Sequence, residues 1–148
     1  MDAKAIAVLA TAGAGGLVAL QAPINSALGK AVGSLPAASF SFAIGLVALV
    51  GITFIAGEGF GQIGEIGGLS WYYLIGGLLG AVYVTTVLIA VRTLGAGGVT
   101  AATIAGQLTF SVVIDHYGWL GVEKQPINAT RVMGVLLLAV GVILVVRD

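Results

Sequence analysis

Charged residues are scarce in this 148-residue chain. Only 8% of the residues are charged and 59% are hydrophobic, whereas soluble domains are about 25% charged and roughly 45–50% apolar. The mean hydropathy is +1.13. A water-soluble fold of this size could not bury so much apolar surface, so we expect the chain to lie in a lipid bilayer. The net charge is zero and no basic cluster is present, so nucleic acid is not expected as a partner.

Cysteine is absent, and histidine occurs only once, at His116. The chain therefore has no disulfides and no thiolate metal sites, and a lone histidine does not form a metal centre. The sequence also lacks a nucleophile–histidine–acid set, a paired-carboxylate motif and a phosphate-binding loop. We expect neither enzymatic activity nor a cofactor.

Long apolar runs are present in place of these groups. A helix needs about 20 apolar residues to cross the hydrocarbon core, and the runs are continuous rather than alternating, which favours helices over a barrel. The sequence predicts an all-α integral membrane protein with five transmembrane helices in a single transmembrane domain, residues 1–148. The predicted helices, called segments one to five, cover residues 5–28, 35–56, 71–91, 99–117 and 132–146.

The basic residues show no bias toward one side of the membrane. In the five-helix topology, Lys4, Lys124 and Arg131 lie on one side, and Lys30, Arg92 and Arg147 lie on the other. Because positive charge sets orientation, the tie predicts insertion in both orientations. Dual insertion permits an antiparallel homodimer, an inverted repeat made of two chains. The alternative is that the tie is accidental and other signals fix one orientation.

Segment four carries a line of polar side chains, the polar stripe. Its members fall within an arc of about 120° on a helix: Thr100, Thr103, Gln107, Ser111 and Asp115. Polar groups in a bilayer are costly and usually face a cavity or the bundle interior. We interpret the stripe as one wall of a solute path, and the alternative is a set of interhelical hydrogen bonds.

Asp115 is the acidic residue closest to a membrane interior. A carboxyl group near hydrocarbon favours its neutral form, which makes Asp115 the candidate for proton coupling. The alternative is an interfacial aspartate paired with His116 or Arg131. We expect Arg92, at the end of segment three, to extend to the lipid head groups.

Segment one carries Gln21 and Asn25 one turn apart, with Pro23 between them. The proline removes a backbone donor and leaves the carbonyl of Ala19 without a partner. Kinked helices with nearby polar side chains often frame transporter sites, so we predict a helix kink here and two substrate-binding residues. The alternative is that the helix ends near Gln21.

Two further residues are candidates for substrate binding. Tyr83 is the aromatic residue best placed to stack on a substrate, and Ser41 lies on a face of small residues in segment two. Packing is the alternative for both. Because no charge lies deep in a segment, we expect a neutral or zwitterionic small-molecule substrate.

Glycine is abundant, with 24 residues. Small residues allow close helix packing in lipid, and Gly134 and Gly141 lie on one face of segment five. We favour these two as a dimer seam, with packing inside one chain as the alternative.

Five motifs are distinctive: LQAPINSALG at 20–29, FSFAIG at 40–45, AGQL at 105–108, IDHYGW at 114–119 and RVMGVLLLAVGV at 131–142. Together they resemble the YdcZ-like branch of the drug/metabolite transporter superfamily. The resemblance implies a five-helix half of a ten-helix inverted-repeat transporter, a pairing chain, and a bacterial inner (cytoplasmic) membrane.

The sequence and the resemblance together indicate a transporter that works by alternating access. Gln21, Asn25 and Gln107 would hydrogen-bond the substrate, Tyr83 would stack on it, and the dimer would rock about segment five. The alternatives are a dual-topology channel, and a scaffold or one subunit of a heteromeric transporter that has no activity alone.

Overall fold

The computed structural model describes residues 2–147, and within that range the chain forms helices and no strand. The long helices are α1 (Ala3–Val32), α2 (Ser34–Ile55), α3 (Gly76–Tyr117) and α4 (Ala129–Val146). Short 3₁₀ helices lie in the links, at Ile63–Gly68, Trp71–Ile75 and Trp119–Gly121. The all-α prediction is confirmed for the described residues.

Four helices in residues 2–147 are long and apolar enough to cross a membrane. The third of them, α3, has 42 residues, which corresponds to about 63 Å at 1.5 Å per residue. This is roughly twice the thickness of the hydrocarbon core. Gly95 interrupts α3 with φ 68° and ψ 170°, so α3 consists of a first arm (76–94) and a second arm (96–117).

The link predicted at residues 92–98 is wrong in extent, because a single residue makes the break. Gly95 lies in a region of backbone conformation that is essentially restricted to glycine, whereas its neighbours remain helical. A break confined to one residue leaves most backbone N–H and C=O groups around it in helical hydrogen bonds. The two arms correspond to predicted segments three and four, and with α1, α2 and α4 they make five helical segments.

The first helix continues through its proline. Pro23 lies inside α1, which extends to Val32, so the alternative in which the helix ends near Gln21 is wrong. The missing N–H costs one hydrogen bond, whereas ending the helix would expose several more backbone groups to hydrocarbon. The kink itself stays a prediction.

The last helix begins at Ala129, three residues before the predicted start at 132. Asn128 caps it, because its side-chain oxygen accepts a 2.9 Å hydrogen bond from the backbone N–H of Arg131. Asparagine is among the preferred residues at this position. By contrast, α2 begins and ends within one residue of the predicted bounds.

The chain groups into two compact units. The middle unit is Leu20–Arg92, and the terminal unit consists of the residues up to Ala19 and from Thr93 onward. The core of the middle unit is a small cluster of Ala38, Val84 and Leu88, against which Tyr83 packs. The single domain predicted from the sequence stays a prediction.

Most large apolar side chains lie on the outside of the helices. Leu17 is 70% exposed, and Val47 and Phe110 are each 73% exposed. Apolar surface of this extent is not stable in water. The exposed faces are therefore suited to contact with lipid.

Candidate functional site

A polar cluster lies at the end of the middle unit's core. It consists of Arg92, Ser26 and Ser34 and is called the Arg92 cluster. Val84, Leu88 and Arg92 recur every four residues on the first arm and share one face of it. Leu88 is fully buried, and Arg92 follows it one turn later. The guanidinium group donates from Nε to Ser26 Oγ at 3.3 Å and from Nη2 to Ser34 Oγ at 3.1 Å.

Gly29 provides the space for this guanidinium group. A Cβ atom at Gly29 would lie 2.9 Å from Arg92 Nη2 and 3.4 Å from Leu88 Cδ1. The first distance is shorter than a normal van der Waals contact. Arg92 thus lies across the backbone of α1 and hydrogen-bonds to the end of α1 and the start of α2. The predicted extension of Arg92 to the lipid head groups stays a prediction beside these two hydrogen bonds.

The polar residues of α1 differ in burial. Asn25 and Ser26 are each 5% exposed, whereas Gln21 is exposed. Asn25 lies one helical turn before Gly29, on the same face as the Arg92 contact. The structure therefore brings predicted residue Asn25 next to the Arg92 cluster and leaves Gln21 on the surface of the unit.

Tyr83 and Ser41 are both half-buried in the middle unit. Tyr83 packs against the Ala38, Val84 and Leu88 cluster, which is the packing alternative for this residue. Their roles in substrate binding stay predictions.

The polar stripe runs along the second arm, in the terminal unit. The hydroxyl of Thr103 donates to the carbonyl oxygens of Val99 and Thr100, both at 3.0 Å, within its own helix. Gln107 and Ser111 are exposed. Within residues 2–147 these three side chains make no hydrogen bond to another helix. Their place on a solute path stays a prediction.

An open groove of about 550 Å³ lies between the second arm and α4. Its walls include Ala96, Thr100 and Ile104 from the second arm and Leu138, Gly141 and Val145 from α4. Thr100 supplies the one polar side chain of the lining. Of the polar stripe, only Thr100 reaches this groove, which is otherwise apolar.

Gly134 and Gly141 have open space beside them. Among residues 2–147, no heavy atom outside their own helix lies within 4 Å of a Cβ atom built at either residue. The dimer seam stays a prediction. Gly80 differs, because its Cβ position lies 3.4 Å from the ring of Phe42 in α2.

Asp115 forms an ion pair with Arg131, with 3.1 Å between Oδ2 and Nη1. The side chain and carbonyl of Gln125 also accept hydrogen bonds from Arg131. His116 accepts a 3.1 Å hydrogen bond at Nδ1 from the backbone N–H of Ile127. These contacts join the end of the second arm to the start of α4. The pairing of Asp115 with Arg131 is confirmed, and proton coupling stays a prediction.

Sequence reasoning did not identify the Arg92 cluster as a site. Ser26 and Ser34 are 66 and 58 residues from Arg92 in the chain, so spacing could not bring them together. One signal was available in the sequence. Arg92 ends a long apolar run, and in the five-helix topology it lies on the same side of the membrane as the link between segments one and two.

Comparison with known families gives one match. Residues 6–144 match the family described as "Putative inner membrane exporter, YdcZ", which covers nearly the whole chain. The chain belongs to the YdcZ family. The resemblance and the inner-membrane location expected from the sequence are thereby confirmed, and the YdcZ-family chain is a membrane protein of the transporter class. No curated protein and no solved structure matches the chain.

Proposed function

We propose that this YdcZ-family chain is half of an exporter. Two copies, inserted in opposite orientations, would form a secondary transporter that moves a small molecule by alternating access. Family membership and the outward-facing apolar helices support a membrane transporter. The inverted pairing would supply the second half that inverted-repeat transporters contain.

The main support for an inverted pair is that the six basic residues divide evenly between the two sides of the membrane. The break at Gly95 supports five crossings, which place the two chain ends on opposite sides. Three basic residues then lie on each side, and neither orientation is favoured by the positive-inside rule.

The exposed polar stripe supports a partner that covers it. Gln107 and Ser111 lie on the surface of the terminal unit, and polar groups facing lipid are unfavourable. A second copy would cover them and enclose a polar cavity. Proposed contacts with the substrate are those predicted from the sequence: Gln21, Asn25, Ser41, Tyr83, Thr103, Gln107 and Ser111.

The other proposed roles concern the movement of the dimer and its coupling. Gly134 and Gly141 would form the dimer seam, about which the two copies rock. Pro23 would provide a flexible point in α1. Asp115, which pairs with Arg131, is the candidate residue for coupling.

A topology experiment tests the proposal. One reporter that is active only in the cytoplasm, and separately one active only outside it, is fused after the last residue of the chain. We expect signal from both fusions, because the chain would insert both ways. Signal from one fusion alone would contradict the antiparallel homodimer and would favour a partner chain of fixed opposite orientation.

Adding two lysines to the link at residues 57–70 provides a control. This change would break the tie between the two sides, so one reporter should lose its signal. Two glutamines at the same positions should leave both signals unchanged.

A further inference from the structure

We propose that Arg92 forms an oxyanion site that binds the carboxylate or phosphate group of a small molecule. The assignment of this site to the transported substrate rests on the proposed transport function. It disfavours a wholly neutral substrate and favours a molecule with an anionic group, either a zwitterion or an anion.

The hydrogen bonds of Arg92 leave donors available. A guanidinium group has five N–H donors, and those of Arg92 make two hydrogen bonds, to Ser26 and Ser34. Three donors thus have no protein acceptor among residues 2–147. Arginine donors arranged as a fork match the two oxygens of a carboxylate or phosphate group.

The charge of Arg92 is also uncompensated. No acidic side chain in the described part of the chain lies within salt-bridge distance of it, whereas Arg131 is paired with Asp115 at 3.1 Å. Both serines that hold Arg92 are neutral, so they orient the guanidinium group without cancelling its charge. An anion from outside the chain is the complementary ligand.

Arg92 is held in place rather than mobile like most surface arginines. Ser26 is 5% exposed, so the hydroxyl that accepts from Nε is fixed within the unit. The absent side chain of Gly29 lets Nη2 lie close to the backbone of α1. Binding costs less entropy when the binding group is already ordered, and Arg92 itself remains exposed to a ligand.

Asn25 adds a neutral polar group one helical turn before Gly29, on the same face of α1. It is 5% exposed, and its amide makes no side-chain hydrogen bond within residues 2–147. An amide group both donates and accepts. It could therefore bind an oxygen of the anion or a neighbouring polar group of the same solute.

Protection from an arginine reagent tests the site. The purified full chain in an uncharged detergent is treated with phenylglyoxal, and modification of Arg92 and Arg147 is followed by mass spectrometry. Benzoate and inorganic phosphate are the oxyanion probes, benzamide is the neutral match for benzoate, and chloride keeps the ionic strength constant. We expect the oxyanions to slow modification of Arg92 but not that of exposed Arg147, and benzamide to slow neither.

Two pairs of variants link protection to the geometry. Gly29→Ala would displace the guanidinium group, and we expect the concentration of oxyanion giving half-protection to rise about tenfold, the equivalent of one charge-assisted hydrogen bond. Gly16→Ala in the same helix has nothing within 4 Å and should behave as the wild type. Ser34→Ala should weaken protection, whereas Ser39→Ala should not, because Ser39 bonds to its own helix at Leu35.

The source of the anion is identified by a second set of conditions. The labelling is repeated in vesicles of phosphatidylcholine alone and of phosphatidylcholine with phosphatidylglycerol. Protection by benzoate or phosphate in detergent would support a solute site, and protection by phosphatidylglycerol alone would support a head-group site for the same oxyanion chemistry. Equal modification of Arg92 under every condition would overturn the proposal. The labelling requires neither transport nor dual insertion, so a one-sided topology result would leave it unchanged.

Discussion

At the scale of single residues, the two arginines at helix ends differ in what surrounds them. Arg131 lies between Asp115 and Gln125 and joins the second arm to α4. Arg92 lies between two serines and has no described acidic partner. The same residue type therefore serves as a link in one place and provides an unpaired charge in the other. An unpaired, ordered charge is the more typical feature of a binding site.

Substitution of Gly95 should destabilise the protein more than substitution of other glycines in α3. At φ 68° and ψ 170°, an alanine would be strained whatever the surrounding space. We expect Gly95→Ala to lower the free energy of unfolding by about 1–3 kcal/mol, measured by thermal unfolding in detergent. Gly106→Ala is the control, since Gly106 is helical and has nothing within 4 Å. Equal stability of the two variants would show that the break does not depend on the conformation of Gly95.

At the scale of helices, local sequence signals determined how well each boundary could be predicted. The bounds of α2 were predictable because an apolar run lies between glycines, and Gly33 and Gly57 both have positive φ. Pro23 gave an ambiguous signal, because a proline can either end a helix or lie within it. In a bilayer the second outcome is favoured, since ending the helix would expose more backbone groups to hydrocarbon. The early start of α4 depends on the Asn128 cap, a signal that is visible in the sequence but does not lie in an apolar run.

Loss of the Asn128 cap should weaken the start of α4. Replacing Asn128 by alanine removes the acceptor for the N–H of Arg131, and we expect a loss of about 0.5–2 kcal/mol in the free energy of unfolding. Asn128→Asp keeps an acceptor oxygen and should retain most of the stability. Thermal unfolding of both variants measures the difference, and an aspartate variant as unstable as the alanine variant would argue against capping.

At the scale of the whole molecule, the sequence predicts that the chain lies in lipid and which class of protein it is. It does not predict the contacts between distant residues. The shortage of charge and the length of the apolar runs were sufficient to predict membrane helices. The polar stripe followed from helical periodicity, although the exposure of Gln107 and the position of Thr100 on the groove did not. The Arg92 cluster needs three parts of the chain at once, and a single sequence contains no record of that proximity.

The seam proposed for α4 leads to a cross-linking experiment that distinguishes the two arrangements of a dimer. Gly134 lies five residues after the first residue of α4, Ala129, and Gly141 lies five residues before the last, Val146. Antiparallel copies of α4 would therefore place Gly134 opposite Gly141, and parallel copies would place each glycine opposite itself. Since the chain has no cysteine, introduced thiols can pair only with each other.

Gly134→Cys and Gly141→Cys chains with different tags are expressed together and oxidised in the membrane. We expect disulfides between the two different variants, because close glycine packing would bring the Cα atoms within the roughly 7 Å that a disulfide requires. Disulfides only between identical variants would indicate a parallel dimer. Leu136→Cys, about 200° around the helix from Gly134, should give no cross-link.

In the proposed topology, where the two arms of α3 cross the bilayer separately, the backbone at Gly95 also determines whether the number of crossings is odd or even. A polypeptide that crosses a bilayer an odd number of times has its ends in different compartments, and one that crosses an even number of times has both in the same compartment. With Gly95 helical, residues 76–117 would form one rod of about 63 Å, and the crossing number would fall from odd to even. A copy inserted upside down would then no longer exchange the positions of its two ends. In the proposed dimer, one pair of backbone torsions in 148 residues would thus decide whether an inverted copy can act as the complementary half.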